Sequence, residues 1–268
     1  MTKTILITGS TDGIGLETAK LLAADGHRLL LHGRNPAKLD KAADTLAAMR
    51  PGARVETYAA DLSRFGDVEA LAKAVSARHS VLDALINNAG ILKTADTRTP
   101  DGLDVRFAVN TLAPYLLTKR LLPLLGVNGR VVNLSSAAQA PVDLEAMAGK
   151  GELGDMEAYA QSKLAITAWS RSMAQSLGEG PAVIAVNPGS LLGSKMVKEG
   201  FGVAGGDIRI GANILRRAVL DKEFATASGK YFDNDKGAFG PPHPDALDSQ
   251  KCEAIVTEIE KILNRLGA

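Results

Sequence analysis

The chain is poor in several features that would mark a special class of protein. Of 268 residues, one is cysteine and four are histidine. A single thiol, Cys252, forms no internal disulfide, which argues for a reducing compartment, and so few soft ligands exclude a zinc site of the usual set. Neither sign of charge is in excess: 31 Lys+Arg stand against 30 Asp+Glu, a formal net charge of +1. Without a basic field to draw a phosphate backbone, nucleic acid is not an expected partner. No apolar run approaches the roughly 18 residues that span a bilayer, and no secretory core follows Lys3. No membrane partner is therefore expected, and the expected location is the cytoplasm. What remains, 46% apolar and 23% charged residues, is the usage of an ordinary globular domain.

Short apolar runs alternate with helical patterns along the whole chain. Strands are predicted at Thr4–Thr8, Arg28–His32, Arg54–Tyr58, Leu82–Ile86, Arg130–Leu134, Ala182–Val186 and Lys230–Phe232. Runs such as Ile5-Leu6-Ile7 are apolar at consecutive positions, which suits strands covered on both faces. Helical stripes lie between them; the last carries Cys252, Ile255, Val256, Ile259, Ile262, Leu263 and Leu266, and packing accounts for it and for the cysteine. The pattern predicts an α/β fold, a doubly wound Rossmann-type parallel sheet of about seven strands with helices on both faces. No linker divides it, so residues 1–268 are expected to form a single domain, with a cofactor half at about 1–130 and a catalytic and substrate-binding half at about 131–268. Two stretches fit poorly, Ala140–Asp155 and the glycine-rich Gly189–Gly206, and irregular segments of that length usually have functional roles or are mobile.

The first strand runs into Thr8-Gly9-Ser10-Thr11-Asp12-Gly13-Ile14-Gly15, and a helical pattern follows. Glycines there permit a tight turn and close approach of a pyrophosphate, and the helix behind aims free N–H groups at it. Between the first strand and first helix of a doubly wound sheet, this is a dinucleotide site. In such folds an acid at the end of the second strand accepts the ribose hydroxyls of NAD. Here that strand ends His32-Gly33-Arg34-Asn35, with no acid and with a fork-shaped cation. That favours NADP(H) over NAD(H).

The spacing Gly-x-x-x-Gly-x-Gly, opened by Thr8-Gly9, resembles that of the short-chain dehydrogenase/reductase family. By that resemblance Gly33 stands in the place of the NAD-selecting acid. Asp12 is a counter-signal, since some NADP-preferring members carry a basic residue there. The resemblance further implies that Asp61 and Leu62 contact the adenine, and that Asn88, Ala89 and Gly90, within Asn87-Asn88-Ala89-Gly90, close the cofactor site. Pro188 and Gly189, within Asn187-Pro188-Gly189, complete it. Asp101-Gly102-Leu103 with Phe107-Ala108-Val109-Asn110, and Tyr159-Ala160-Gln161-Ser162-Lys163-Leu164-Ala165, resemble the retinol dehydrogenase and protochlorophyllide reductase-like branch.

Tyr159 and Lys163 project from one helical face, in a helix whose expected cap is Asp155. A phenol near an ammonium has the means to exchange a proton, because positive charge favours the phenolate. Tyr115 and Lys119 repeat the spacing, so position must choose. Tyr159 follows the strand ending Asn133-Leu134-Ser135-Ser136, which is the family order, whereas Tyr115 reads as packing. The resemblance implies a catalytic set of Asn110, Ser136, Tyr159 and Lys163, with Tyr159 and Lys163 also holding cofactor. Ser135 competes with Ser136, and Asn110 could instead cap or kink its helix.

The implied function is hydride transfer between NADP(H) and a small-molecule carbonyl or alcohol. The alternative is a non-catalytic NADP(H)-binding sensor, against which the complete catalytic set argues. Residues 190–206 are a candidate lid, or else an ordinary packing segment. Leu191, Leu192 and Met196, with Val197 and Phe201, would present an apolar face, which points to an apolar aldehyde or ketone. The insertion between Ser136 and Tyr159 carries Asp143, Glu145, Glu152 and Asp155, read as a solvated face. A homodimer is left open and a tetramer is not assumed. Asp233-Asn234-Asp235-Lys236-Gly237 faintly resembles a calcium loop but lacks the later glutamate, and a plain turn is expected, with no metal.

Overall fold

The computed structural model describes residues 1–268 and gathers eight strands into one sheet. The first half is built from β1 (Thr4–Ile7), α1 (Gly13–Ala24), β2 (Arg28–Gly33), α2 (Pro36–Met49), β3 (Val55–Ala59), α3 (Phe65–Arg78) and β4 (Ala84–Asn87). It continues through α4 (Ala113–Leu121), β5 (Arg130–Leu134), α5 (Asp155–Leu177), β6 (Ala182–Asn187), α6 (Lys195–Phe201), α7 (Arg209–Leu220), β7 (Tyr231–Asp233), β8 (Ala238–Gly240) and α8 (Ser249–Arg265). The sheet order is β3-β2-β1-β4-β5-β6-β7-β8. The doubly wound parallel sheet is as expected, with one addition: β8 pairs antiparallel with β7. Three residues are too few to show alternation, and β8 is held by Phe239, whose ring lies 5.1 Å from Phe224 and 5.0 Å from Phe232.

Successive strand side chains enter opposite cores. Leu6, Leu30, Leu85, Val131 and Val183 join a cluster of 38 buried residues on one face; Ile5, Ile7, Leu29, Leu31 and Ile86 join a cluster of 24 on the other. Each such side chain, taken wholly out of water, contributes about 1.5–3 kcal/mol. Because both faces are covered, central strands such as β1 and β6 carry consecutive apolar residues rather than alternate ones.

Asp248 caps α8 by accepting from the N–H groups of Gln250 and Lys251. Cys252, Ile255, Ile259, Ile262 and Leu263 are buried in the larger core, and burial pushes the Cys252 thiol up, away from the reactive thiolate. Tyr115 packs edge-on against Trp169 with centroids 5.5 Å apart, and its hydroxyl donates to Glu260 of α8. Lys119 reaches the same carboxylate at 2.6 Å. This Tyr–Lys pair is packing, as expected.

The insertion is tied down more firmly than a solvated face requires. Gly154, not Asp155, occupies the N-cap of α5 and supplies no side-chain cap. Asp155 instead pairs with Arg106, which also holds Asp104 at 2.6 Å and is 1% exposed. Asp143 caps the short helix Leu144–Met147. Arg98 donates to the carbonyls of Gly102 and Gly149, each at 2.9 Å. No helix is long and apolar enough to cross a membrane. Strand order reverses between β1 and β4, which opens a crevice at their C-terminal ends.

Candidate functional site

The glycine turn after β1 is pressed against the end of β4. Gly9 has φ +64°, and a Cβ there would lie 2.9 Å from the Cα of Ala89. A Cβ at Gly15 would lie 2.3 Å from the Gly9 carbonyl oxygen and 2.5 Å from Nδ2 of Asn88. Only glycine fits at either position. Asn88 locks the contact by donating to the carbonyls of Thr8 and Gly9 at 2.8 and 3.0 Å, while Thr8 Oγ1 accepts the N–H groups of Asn88 and Ala89. Two motifs far apart in sequence thus form one wall. Helix α1 begins at Gly13 with no side-chain cap from Asp12, so its first-turn N–H groups face the cleft.

Ser10 departs from the expectation. Its hydroxyl is buried and exchanges hydrogen bonds with the backbone of His32, so its side chain does not reach the cleft. His32, to which the sequence reading gave no role, secures the turn. Its Nδ1 accepts the Gly9 N–H at 3.3 Å and Nε2 faces the Ala60 carbonyl at 3.1 Å, which fixes the neutral tautomer protonated on Nε2. Burial pushes the ring down to about 4.

At the end of β2, Gly33 is buried and a Cβ there would lie 2.6 Å from Thr11 Cγ2. Arg34 is exposed at the mouth of the cleft, and Lys38, one turn into α2, lines the same corner. Lys38 was missed by the sequence reading; its signal was the spacing of four from Arg34. Asp61 and Leu62 line the cleft just after β3, beside the end of β2, with Asp61 Oδ1 accepting from both the amide and the hydroxyl of Ser63.

The deeper end of the cleft is built on β5, α5 and a π turn, Ala108–Leu112. Asn110 lies in that turn, fully buried. Its Oδ1 accepts the Ile91 N–H at 2.8 Å and its Nδ2 donates to the Ile91 carbonyl and to Ser162 Oγ, each at 2.9 Å. A side chain at Gly90 would meet both Asn110 Oδ1 and Lys163 Nζ at 3.5 Å. Asn110, Gly90 and Lys163 therefore surround one small space.

The serine pair divides. Ser135 is buried, 2.6 Å from Thr167 Oγ1 and 3.2 Å from the Lys163 carbonyl, so its hydroxyl belongs to α5. Ser136 Oγ accepts the Ala138 N–H at 3.1 Å and stands close enough to Tyr159 to act on its phenol. Tyr159 lines the cleft with part of its ring open. Burial pushes its phenol up, and the Ser136 hydroxyl offsets only part of that. Lys163 Nζ lies 5.6 Å from the Tyr159 ring centroid and donates to the Leu134 carbonyl at 2.7 Å. Burial brings it down to about 8. The expectation that the ammonium pulls the tyrosine down is not met here: enclosure outweighs a cation that does not touch the phenol oxygen, and the neutral, proton-donating phenol is favoured.

Residues 190–206 fold back on themselves. The neck is closed by Gly193 N–H to the Gly206 carbonyl and Gly206 N–H to the Leu191 carbonyl, each at 2.8 Å. Within it, Ser194 caps α6 by accepting the Val197 N–H. Helix α6 rests on the far rim, where a Cβ at Gly200 would lie 2.6 Å from Leu92 Cδ2. Met196 lines the cleft beside Gly90, as expected. Leu191 and Leu192 do not. Leu191 is 50% exposed at a strained φ of +48°, and Leu192 is buried against Gly189 and Gly211. The remaining lining from this segment is polar, from Ser194, Lys195 and Glu199.

The cleft encloses about 500 Å³. A dinucleotide suits it on three observations: a glycine wall that admits no Cβ, an uncapped helix start, and an unpartnered arginine at one end. The short chain dehydrogenase family profile matches residues 3–201. Among known proteins, retinol dehydrogenase 13 of mouse is 29% identical over 97% of this chain and 84% of its own length. Retinol dehydrogenase 12 of mouse is 33% identical over 87% of this chain and 78% of its own. A short chain dehydrogenase from Escherichia coli CFT073, solved in complex with NADPH, superposes with a TM-score of 0.71 at 26% identity, covering 87% of this chain and 96% of that one.

Proposed function

From the premise that the chain belongs to the short chain dehydrogenase family, in its retinol dehydrogenase-like branch, and is an oxidoreductase of the CH–OH/C=O couple, we propose its cofactor, substrate class and catalytic residues. The cofactor is NADP(H) and the substrate an aldehyde or ketone with an apolar flank. Asn110, Ser136, Tyr159 and Lys163 carry the reaction. The observation that supports this best is that Tyr159 and Lys163 line the deeper end of a cleft whose mouth holds Arg34 and Lys38.

Bound NADPH supplies the hydride. Tyr159 in the cleft, with Ser136 beside it, would supply hydroxyl donors to a carbonyl oxygen that gathers negative charge. With a lone pair engaged by the Ala138 N–H, Ser136 keeps its own proton free to donate. Tyr159, held neutral by burial, donates the proton that completes the alcohol. Lys163, near its own pKa at neutral to mildly basic pH, is placed to resupply it from the space shared with Asn110 and Gly90. Arg34 and Lys38 offer two cations to a 2′-phosphate. Ile91, Leu92 and Met196 are the apolar wall that supports the substrate reading.

The Tyr159→Phe variant tests the assignment. Turnover with NADPH should vanish while NADPH still quenches protein fluorescence on binding; turnover like that of the wild type refutes it. A panel of carbonyls tests the substrate reading, which fails if only small hydrophilic ones react.

A further inference from the structure

Residues 231–235 lie beyond the segment matched by the family profile, and the sequence suggests only a strand end and a plain turn. In the structure their side chains grip the two loops that carry the cleft. Tyr231, buried on β7, donates its hydroxyl to the Ser136 carbonyl at 3.1 Å, and Gln139 Nε2 donates to the same oxygen at 2.9 Å. Asn234 Nδ2 donates to the Pro188 carbonyl at 2.8 Å. Asp235 takes three donors: the Ser190 N–H at 2.8 Å, the Ser190 hydroxyl at 2.6 Å and Asn187 Nδ2 at 2.9 Å. Asp233 Oδ1 accepts the same Asn187 amide group at 3.0 Å.

These anchors sit where the chain most needs them. Ser190 follows Gly189, at φ +122°, and precedes the strained Leu191, from which the neck of the 190–206 segment begins. Without a clamp at Ser190, relaxation of Leu191 would swing that neck. Ser136 has a similar need. Its hydroxyl must meet both Tyr159 and an incoming oxygen, and its peptide plane sets that direction.

We propose that Asp235 and Tyr231 are positioning residues for the two ends of the reaction. Asp235 fixes the root of the segment that covers the cofactor, and Tyr231 orients the Ser136 peptide. The proposal rests on the cofactor and serine assignments made above. One short strand and its turn thereby set the spacing between the loop after β5 and the loop after β6.

The test compares Asp235→Ala, Asp235→Asn and Tyr231→Phe in the intact protein, by NADPH titration, steady-state kinetics and amide hydrogen exchange. Loss of the carboxylate's hydrogen bonds, partly screened at this exposed site, should weaken NADPH binding about three- to tenfold. kcat at saturating cofactor should stay within about twofold, and exchange should quicken over 190–206 but not over β5 or β6. The Asn variant keeps one acceptor and should recover part of the affinity. Tyr231→Phe should lower kcat about three- to tenfold with NADPH affinity unchanged. Unchanged NADPH affinity in Asp235→Ala, or a uniform loss in all parameters with a lowered Tm, overturns the proposal. If the wild type binds no nicotinamide cofactor, the functional reading falls and this proposal with it; unaltered binding in Asp235→Ala, or an unaltered kcat in Tyr231→Phe, sinks the proposal alone.

Discussion

Placing an acid at Gly33 is the natural way to turn an NADP(H) site toward NAD(H), and the structure says the single substitution should fail. A Cβ at residue 33 would stand 2.6 Å from Thr11 Cγ2, nearly 1 Å inside ordinary carbon contact. Thr11 is β-branched and cannot rotate away cheaply. Overpacking of this kind costs about 1–3 kcal/mol, or roughly 2–4 °C in Tm for each kcal/mol. Thr11→Ser removes the offending methyl and leaves the residue 11 hydroxyl oxygen and Leu39 Cγ, each at 3.5 Å. In the Thr11→Ser/Gly33→Asp double variant, the new carboxylate would face a doubly charged 2′-phosphate. At ~5 Å and an effective ε of 20–80, the repulsion is roughly 2–7 kcal/mol. NADPH affinity should then fall at least about thirtyfold. A carboxylate that accepts ribose hydroxyls should tighten NADH by about tenfold. Fluorescence titration of both cofactors, with Tm, across the wild type, both single variants and the double variant measures all of this. Gly33→Asp alone should melt early and bind both cofactors poorly. A double variant that still prefers NADPH would mean that the phosphate is not read at this corner.

Three further outcomes follow from buried charge. Lys163 is buried with its pKa brought to about 8 from 10.5, so at pH 7 the folded state holds an ammonium at a cost of about 3 kcal/mol. Below pH 8 the cost is full, and it fades as pH rises toward 10.5. Lys163→Met should therefore abolish turnover yet raise stability at pH 7 by about 1–2 kcal/mol, after the loss of the bond to Leu134; a gain that persists at pH 10.5 would be the wrong sign of dependence. His32, at about 4 against 6.5, is protonated first in the unfolded chain. The wild type should lose up to about 3 kcal/mol between pH 6.5 and 4, and His32→Asn should show no such loss in urea titrations. Arg106→Ala strands the buried carboxylate of Asp104 and should cost about 3–5 kcal/mol; a loss under about 1 kcal/mol would show that water repays the charge.

The sheet was legible because its strands are buried on both faces, so consecutive apolar residues such as Ile5-Leu6-Ile7 leave a signal that even four-residue elements retain. β8 left none, since its pairing depends on one ring, that of Phe239. At the cleft, positions read from backbone need were visible: Gly9 and Gly15 admit no side chain, and the sequence shows it. Positions read from side-chain type were less so. Ser10 looks like any member of a phosphate turn, yet its hydroxyl faces inward because strand β2 passes directly behind it. Leu191 and Leu192 read as an apolar cover, but the glycine neck turns one outward and the other into the core. Asp155 looks like a cap until Arg106, distant in sequence, claims it. His32 and Asp235 act through partners brought close only by the fold, and no local pattern announces them.

Helix α8 has a consequence for how the chain is made. The larger core, which backs the helix bearing Tyr159 and Lys163, counts Cys252, Ile255, Ile259, Ile262 and Leu263 among its members. All five leave the ribosome after every strand of the sheet. Until they arrive, the apolar back of α5, including Trp169, has no cover on that side. A nascent chain halted before residue 249 would hold all eight strands and every catalytic side chain, yet carry an open hydrophobic flank. Chaperone engagement should therefore peak late in synthesis, and release should await the final helix.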